Sequence, residues 1–168
     1  MIYSEDELAS ILSNNLYMLR GHYNLSQLQV AVRASHTCTR SYQYFELGKK
    51  IPHLNTIITI SSFYEISLDM LLGRIPLVFP ASPTLKPTLE LSGEEVRKRL
   101  APNLKHHRQR MNLTREQVAD FLGLDIEPYK RLEQGYRRPT CLSLIQLADL
   151  LQVSTDCLLA KRKILILR

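Results

Sequence analysis

Residues 113–139 read LTREQVADFLGLDIEPYKRLEQGYRRP, two short helical stretches on either side of a tight turn. Thr114 stands three residues before Gln117, the spacing of a capping box that opens a helix. That helix closes at Gly123, and Asp125 is placed to cap a second one running to Gly135. Pro128 is tolerated because it falls in the first turn of the second helix. Two short helices packed steeply against each other fix certain positions sterically. The fifth position of segment 115–134, Ala119, faces the second helix and must be small. The ninth, Gly123, makes the turn and suits a left-handed backbone. Val118, Leu122, Tyr129 and Leu132 then face inward. The whole string spells a helix-turn-helix, whereas Ala119 and Gly123 alone would also fit an ordinary helical hairpin.

Downstream, Thr140 to Leu151 and Ser154 to Ala160 supply two more apolar helices. Upstream, Ser92 and Glu95 form a capping box for a helix leading to Met111. Pro102 must start, kink or break that helix. This makes five helices, and the first half of the chain repeats them. Asn15-Leu16, Arg20, Asn24-Leu25-Ser26 and Gln29-Val30-Ala31 match Asn103-Leu104, Arg108, Asn112-Leu113-Thr114 and Gln117-Val118-Ala119 at a shift of 88. From Glu46 the shift is 87: Glu46, Gly48 and Pro52 match Glu133, Gly135 and Pro139. Ser67, Asp69, Leu71 and Leu72 likewise match Ser154, Asp156, Leu158 and Leu159. The first copy therefore holds one extra residue between Ala31 and Glu46. It also lacks the turn glycine, with Ser35-His36 in its place. An added residue rotates a helix by about 100°, which would re-aim the face that follows.

The copies are expected to occupy residues 1–75 and 92–163, with a linker at 76–91 and an apolar tail at 164–168. Ser4 and Glu7 open the first copy with a capping box, and Leu8, Ile11, Leu12, Leu16 and Leu19 follow at helical spacing. Four of the eight prolines fall between Pro76 and Pro87, where each removes a donor and biases its predecessor away from helix. Leu77–Phe79 and Ile164–Leu167 are the two short runs with strand character.

Composition narrows the function. The 168 residues are 45% hydrophobic and 23% charged, the balance of a soluble globular chain. No apolar run approaches the roughly 18 residues of a membrane span. The acidic start, Glu5-Asp6-Glu7, is unlike a secretory signal or an Arg-rich transit peptide. Cys38, Cys141 and Cys157 are too few and too scattered for a disulfide framework or a zinc site, which suits a reduced cytoplasm. The net charge of +6 is uneven: residues 1–75 hold six basic and six acidic side chains, residues 76–168 sixteen and ten. A basic half of this kind suits a polyanion, above all nucleic acid, although it also solubilises.

Leu113–Pro139, continued through Leu144-Ile145-Gln146-Leu147-Ala148-Asp149-Leu150-Leu151, resembles the lambda-repressor-like (Cro, Xre-type) family. The resemblance covers most of 103–160 and, more weakly, about 15–73. It implies an all-α chain: two tandem five-helix domains joined by the Pro-rich linker, each placing its third helix in the major groove of double-stranded DNA. Tyr129, where an aliphatic is usual, and Pro128 are its departures. By position in the family motif, Ile126, Glu127, Lys130 and Arg131 would read base edges. Arginine suits guanine O6/N7, glutamate accepts from cytosine N4, and isoleucine can meet a thymine methyl. Arg115, Gln134, Tyr136, Arg137 and Arg138 would hold phosphates, which fix register and bring salt dependence. Gln27, Thr39, Arg40, Gln43, Tyr44, Lys49 and Lys50 are the counterparts in the first copy. The resemblance further implies that Glu133 pairs with Arg108, and Glu46 with Arg20, for structural reasons.

Other chemistry finds little support. Cys141 and Cys157 align with Leu54 and Met70 and are expected in the core, with Cys38 near the first-copy turn. His106 and His107 diverge, cannot share a metal, and are expected at the surface. No glycine-rich phosphate loop, nucleophile elbow or catalytic constellation is present, so the expectation is a non-enzyme without cofactor or metal. The expected role is a cytoplasmic, nucleoid-associated transcriptional regulator, a repressor by preference. Residues 74–92, fully extended, would reach about 60 Å, beyond the about 34–36 Å between reading helices on one duplex face. A homodimer is equally compatible, with Ile164–Leu167 as a candidate contact, the alternative for that run being a frayed or intramolecular strand packed on Leu77–Phe79. The alternative is a protein-binding module, an antitoxin or phage-encoded inhibitor, whose partner meets the first copy around Tyr42, Tyr44 and Phe45.

Overall fold

Capping chemistry sets where the helices begin in the computed structural model, which describes residues 4–160. These divide into two units, 4–90 and 91–160. In the first, α1 (Glu5–His22) opens on a full Ser4–Glu7 capping box. A second box, Ser26–Gln29, opens α2 (Gln27–Val30). The chain continues through a π-helical turn, Ala31–Ser35, into α3 (Thr39–Glu46), α4 (Leu54–Phe63) and α5 (Leu68–Leu71). Leu8, Leu12, Leu16 and Leu19 form the buried stripe of α1. Val30, Ala34, Tyr42, Ile57, Ile60, Phe63 and Leu71 complete a core from which water is excluded.

The second unit is built in the same order: α6 (Gly93–Arg110), α7 (Arg115–Phe121), α8 (Ile126–Glu133), α9 (Cys141–Leu150) and α10 (Thr155–Leu158). Capping boxes at Ser92–Glu95 and Thr114–Gln117 open α6 and α7. Asp125 holds the extended N-cap backbone of α8, yet its side chain accepts no capping bond, contrary to the expectation for it. Pro102 neither starts nor ends a helix: α6 runs through it. It lies on the solvent side with Lys98, four residues earlier, so the carbonyl left without a donor is on the wet face. Leu100, Leu104, Val118, Tyr129, Leu144, Leu147 and Leu158 are fully buried and join all five helices.

The extra residue of the first unit has a definite place. It is taken up in Ala31–Ser35, where the wider π-helical turn lets Thr37 N–H reach Ala31 O at 3.1 Å. His36 then adopts the left-handed backbone (φ 47°) that Gly123 adopts in the second unit (φ 63°). Beyond that turn the shift is already 87, and α3 keeps its phase: Tyr42, like Tyr129, is fully buried. The re-aiming expected from an added residue therefore does not occur. Deleting Val32, which is 59% exposed in this turn, should convert it to a regular helix like α7. The cost should stay below about 1 kcal/mol, read as helicity and melting temperature of the full chain. Loss of cooperative melting would show that the wide turn is required for folding.

No strand forms at Leu77–Phe79, and among the described residues there is none. Residues 76–90 contain no helix either, but they do not float. His22 stacks on Phe79 at 4.4 Å, and Tyr23 Oη donates to Pro80 O at 2.6 Å. Thr84 donates to Glu65 through its N–H and hydroxyl (2.9 and 2.7 Å), and Ser62 Oγ donates to Leu89 O at 2.9 Å. The proline-rich stretch is thus a strap on residues 4–90, and the about 60 Å reach would require its release. The tail at 164–168 lies outside the described residues.

Two core expectations are reversed. His107 is buried (8% exposed), its Nε2 3.7 Å from Cys157 Sγ, while Cys157 itself is exposed. Leu158 and Leu159 fill the inward positions of this single turn and leave Cys157 outside. Burial first, then Arg110 and His106, hold the His107 imidazolium below the ordinary histidine range. Cys141 is buried, which pushes its thiol up to about 12, and Cys38 is exposed. Among the described residues no helix is long and apolar enough to cross a membrane, and no group of His, Cys, Asp and Glu could hold a metal ion.

Candidate nucleic-acid interface

The helix-turn-helix is held from behind. Glu133, its side chain 1% exposed, receives two bonds from Arg108: Nε to Oε2 at 2.9 Å and Nη2 to Oε1 at 3.0 Å. The remaining Arg108 nitrogen, Nη1, donates to Leu113 O at 2.7 Å, so one guanidinium clamps α6, the α6–α7 loop and α8. Arg115 at the start of α7 adds a second cation, with Nη2 3.1 Å from Oε1. Burial alone would raise the Glu133 carboxyl, but the hydrogen bonds from Arg108 and Arg115 outweigh it and hold it below the usual range. The fully buried Tyr129 hydroxyl lies against this pair, its ionisation pushed far up by burial and by the Glu133 charge.

With Tyr129, Leu132 and Glu133 turned inward, α8 offers its opposite face to solvent. Arg131 is exposed, and no described residue pairs with its guanidinium. Lys130 Nζ contacts Glu127 Oε1 at 2.7 Å, so these two partly neutralise each other on that face. Ile126 is half-buried at the helix start. Of the five residues expected to hold phosphates, Gln134, Tyr136 and Arg137 are exposed beyond the end of α8. Arg138 lies over Gly93, where a Cβ would collide with its guanidinium. Arg115 is divided between Glu133 and solvent, with 37% of its side chain exposed.

Residues 4–90 carry the same inner arrangement. Arg20 Nε contacts Glu46 Oε1 at 2.5 Å, Nη2 contacts Oε2 at 3.0 Å, and Nη1 donates to Leu25 O at 3.2 Å. Gln27 stands where Arg115 stands, donating to Glu46 Oε2 at 2.8 Å, so its amide is engaged inward. Arg40, Gln43, Tyr44, Lys49 and Lys50 are exposed, and Thr39 is half-exposed. Arg40 Nε donates to Tyr44 Oη at 3.3 Å.

A matched pair of asparagines also has a structural role. Asn15 Nδ2 donates to Met70 O and Leu71 O (3.2 and 3.0 Å), and Asn103 Nδ2 to Cys157 O and Leu158 O (3.4 and 3.1 Å). Each asparagine satisfies orphan carbonyls of the last helix of its unit and ties that helix to the first. Their recurrence at a shift of 88 was the available signal.

These features define a helix-turn-helix with an exposed outer face on α8. A family model for this element, HTH_3 (Helix-turn-helix), matches residues 104–156; the match does not extend to the first unit. The chain is similar to the cryptic phage CTXphi transcriptional repressor RstR of Vibrio cholerae serotype O1, 34% identical over 58 residues (34% of this chain, 52% of that protein). It is also similar to the HTH-type transcriptional regulator AnsR of Bacillus subtilis, 39% identical over 56 residues (33% of this chain, 48% of that protein). A third relative, the uncharacterized HTH-type transcriptional regulator YqaE of Bacillus subtilis, is 40% identical over 57 residues (34% of this chain, 49% of that protein). The chain thus spans about half the length of the curated relatives it matches. No solved structure matches it significantly.

Proposed function

We propose that the chain is a sequence-specific DNA-binding transcriptional regulator, a repressor by preference, that reads the major groove with α8. The observation that carries the reading is the α8 face. Arg131 projects, with no partner among the described residues, from a helix whose reverse side is locked by Tyr129, Leu132 and the Arg108–Glu133 clamp. Such a helix loses little entropy on entering a groove, and a free guanidinium suits guanine O6/N7. Arg137, exposed in the following loop, meets a phosphate and carries no sequence information. The curated relatives are named as transcriptional regulators, which supports the same role for this chain.

Residues 4–90 are, in this reading, a diverged copy of the same domain. The repeated capping boxes, asparagine tie and Arg–Glu clamp support the common plan.

The test is selection of duplexes from a random pool by the full chain at near-physiological salt. A recovered motif is expected, and purely salt-sensitive, sequence-blind binding would refute the assignment. Arg137→Ala should weaken all duplexes alike and make the slope of log affinity against log salt shallower by about one unit. A loss confined to the selected sequence would instead place Arg137 on a base.

A further inference from the structure

We propose that Thr39, Arg40, Gln43 and Tyr44 of α3 form a second base-reading surface with a different preference from α8, so that one chain favours a duplex carrying two unlike half-motifs. The proposal rests on the reading of α8 as a DNA-reading helix and extends it to a unit that the family match does not cover.

Register is the first argument. The π-helical turn absorbs the inserted residue before His36, so α3 stands on its own core as α8 stands on its core. Tyr42 and Phe45 are buried, Glu46 is clamped by Arg20, and Arg40, Gln43 and Tyr44 share the solvent side. A rotation by one residue would have turned Arg40 and Gln43 away from that face.

Charge is the second. The unit is neutral overall, but between Ser26 and His53 the charges are Arg33, Arg40, Lys49, Lys50 and Glu46. All four cations are exposed, and Glu46 is held by Arg20 and Gln27. Residues 26–53 are therefore net cationic although the unit is not, with Glu90 beside His36 at 3.0 Å as the exposed acid next to the turn before α3, a balance that suits a polyanion. Of the exposed apolar side chains nearby, Leu28 lies on α2, Val32 in the π-helical turn, and Leu47 at the C-terminal end of α3.

Chemistry is the third. At a shift of 87, Arg40 stands where α8 has Glu127, and Gln43 where it has Lys130. A glutamate accepts from cytosine N4, whereas an arginine donates to guanine O6/N7. A glutamine can bond adenine N6/N7 bidentately, which a lysine cannot. The ring of Tyr44 lies 6.0 Å from the Arg40 guanidinium and its hydroxyl accepts from Nε, which orients the fork. Arg40 and Glu127 are of opposite donor–acceptor polarity, and Gln43 adds an acceptor that Lys130 lacks, so the two helices do not prefer the same bases. Identical heads in a symmetric dimer read a palindrome, and unlike heads do not.

The experiment compares duplexes selected by the full chain, by its Arg40→Ala/Gln43→Ala variant and by its Arg131→Ala variant. The full chain should enrich two unlike motifs on one duplex. The double variant should lose one of them, with affinity for the composite site falling roughly 5–150-fold, and Arg131→Ala should lose the other. A single motif, or an inverted repeat of one motif, insensitive to the double change would overturn the proposal and leave the α8 reading standing; the α3 face would then be open to a protein. No motif from any chain would reject both. Melting of the variants checks folding. If the double variant melts lower, Arg40→Lys, which keeps the charge but not the fork, should still blur the same motif, and an unblurred motif would count against the proposal.

Discussion

Arg20→Met should destabilise residues 4–90 by about 3–5 kcal/mol, the cost of leaving a buried carboxylate without its cation. Glu46 is then left with Gln27, a neutral donor. Arg108→Met should cost the other unit less, because Arg115 remains on Glu133 as a second cation. Whole domains are held by about 5–15 kcal/mol, so the Arg20 change alone removes a large share. Denaturant unfolding of the full chain measures both losses. Removing the carboxylate as well, in Arg20→Met/Glu46→Leu, should restore most of the stability, because a well-packed apolar pair often matches a buried ion pair. A double variant no more stable than Arg20→Met would mean that the pair is not the source of the loss.

The second-unit clamp also predicts a pH dependence. The folded Glu133 pKa lies below the ordinary carboxylate value. Its stabilising contribution is therefore complete above the unfolded value of about 4.3 and is lost as pH falls through the folded one. Glu133→Gln should flatten the acid limb of stability against pH below about 4.3. An unchanged limb would assign acid sensitivity to other carboxylates.

Arg131→Ala should lower affinity for the preferred duplex by about 1–3 kcal/mol and relax one base position. It should scarcely alter binding to unrelated duplexes, because Arg131 contributes little to phosphate attraction in this assignment. Lys130→Ala should have a smaller effect on the same duplex, since Lys130 already spends its charge on Glu127 at 2.7 Å. Titration of matched and scrambled duplexes at one salt concentration separates the two behaviours. Equal losses on both duplexes would remove Arg131 from the reading face.

Much of the architecture is legible because it is local. The boxes at Ser4, Ser92 and Thr114 and the turn at Gly123 need no information beyond three or four residues of chain, and the structure has each of them. The repeat likewise marks Arg20, Arg108, Glu46 and Glu133 as matched positions. The inward side of α8 is legible for the same reason, since the helix-turn-helix spacing fixes Tyr129 and Leu132; a base-reading Arg131 is what the resemblance implies.

The features hidden from the sequence depend on which surfaces become neighbours. Proline content marks residues 76–90 as non-helical, but their attachment follows from Tyr23, Ser62 and Glu65 offering bonds at the right places. Adjacent histidines look alike on paper, and packing put His107 inside and Cys157 outside. Arg115 and Gln27 looked like free surface groups until a buried carboxylate stood within reach. The extra residue before His36 was countable in the sequence, yet whether it rotated α3 or widened one turn was decided by the core. Keeping Tyr42 and Phe45 buried and Glu46 paired outweighs the strain of a single wide turn, so spacing determined the helices and burial determined the direction in which they face.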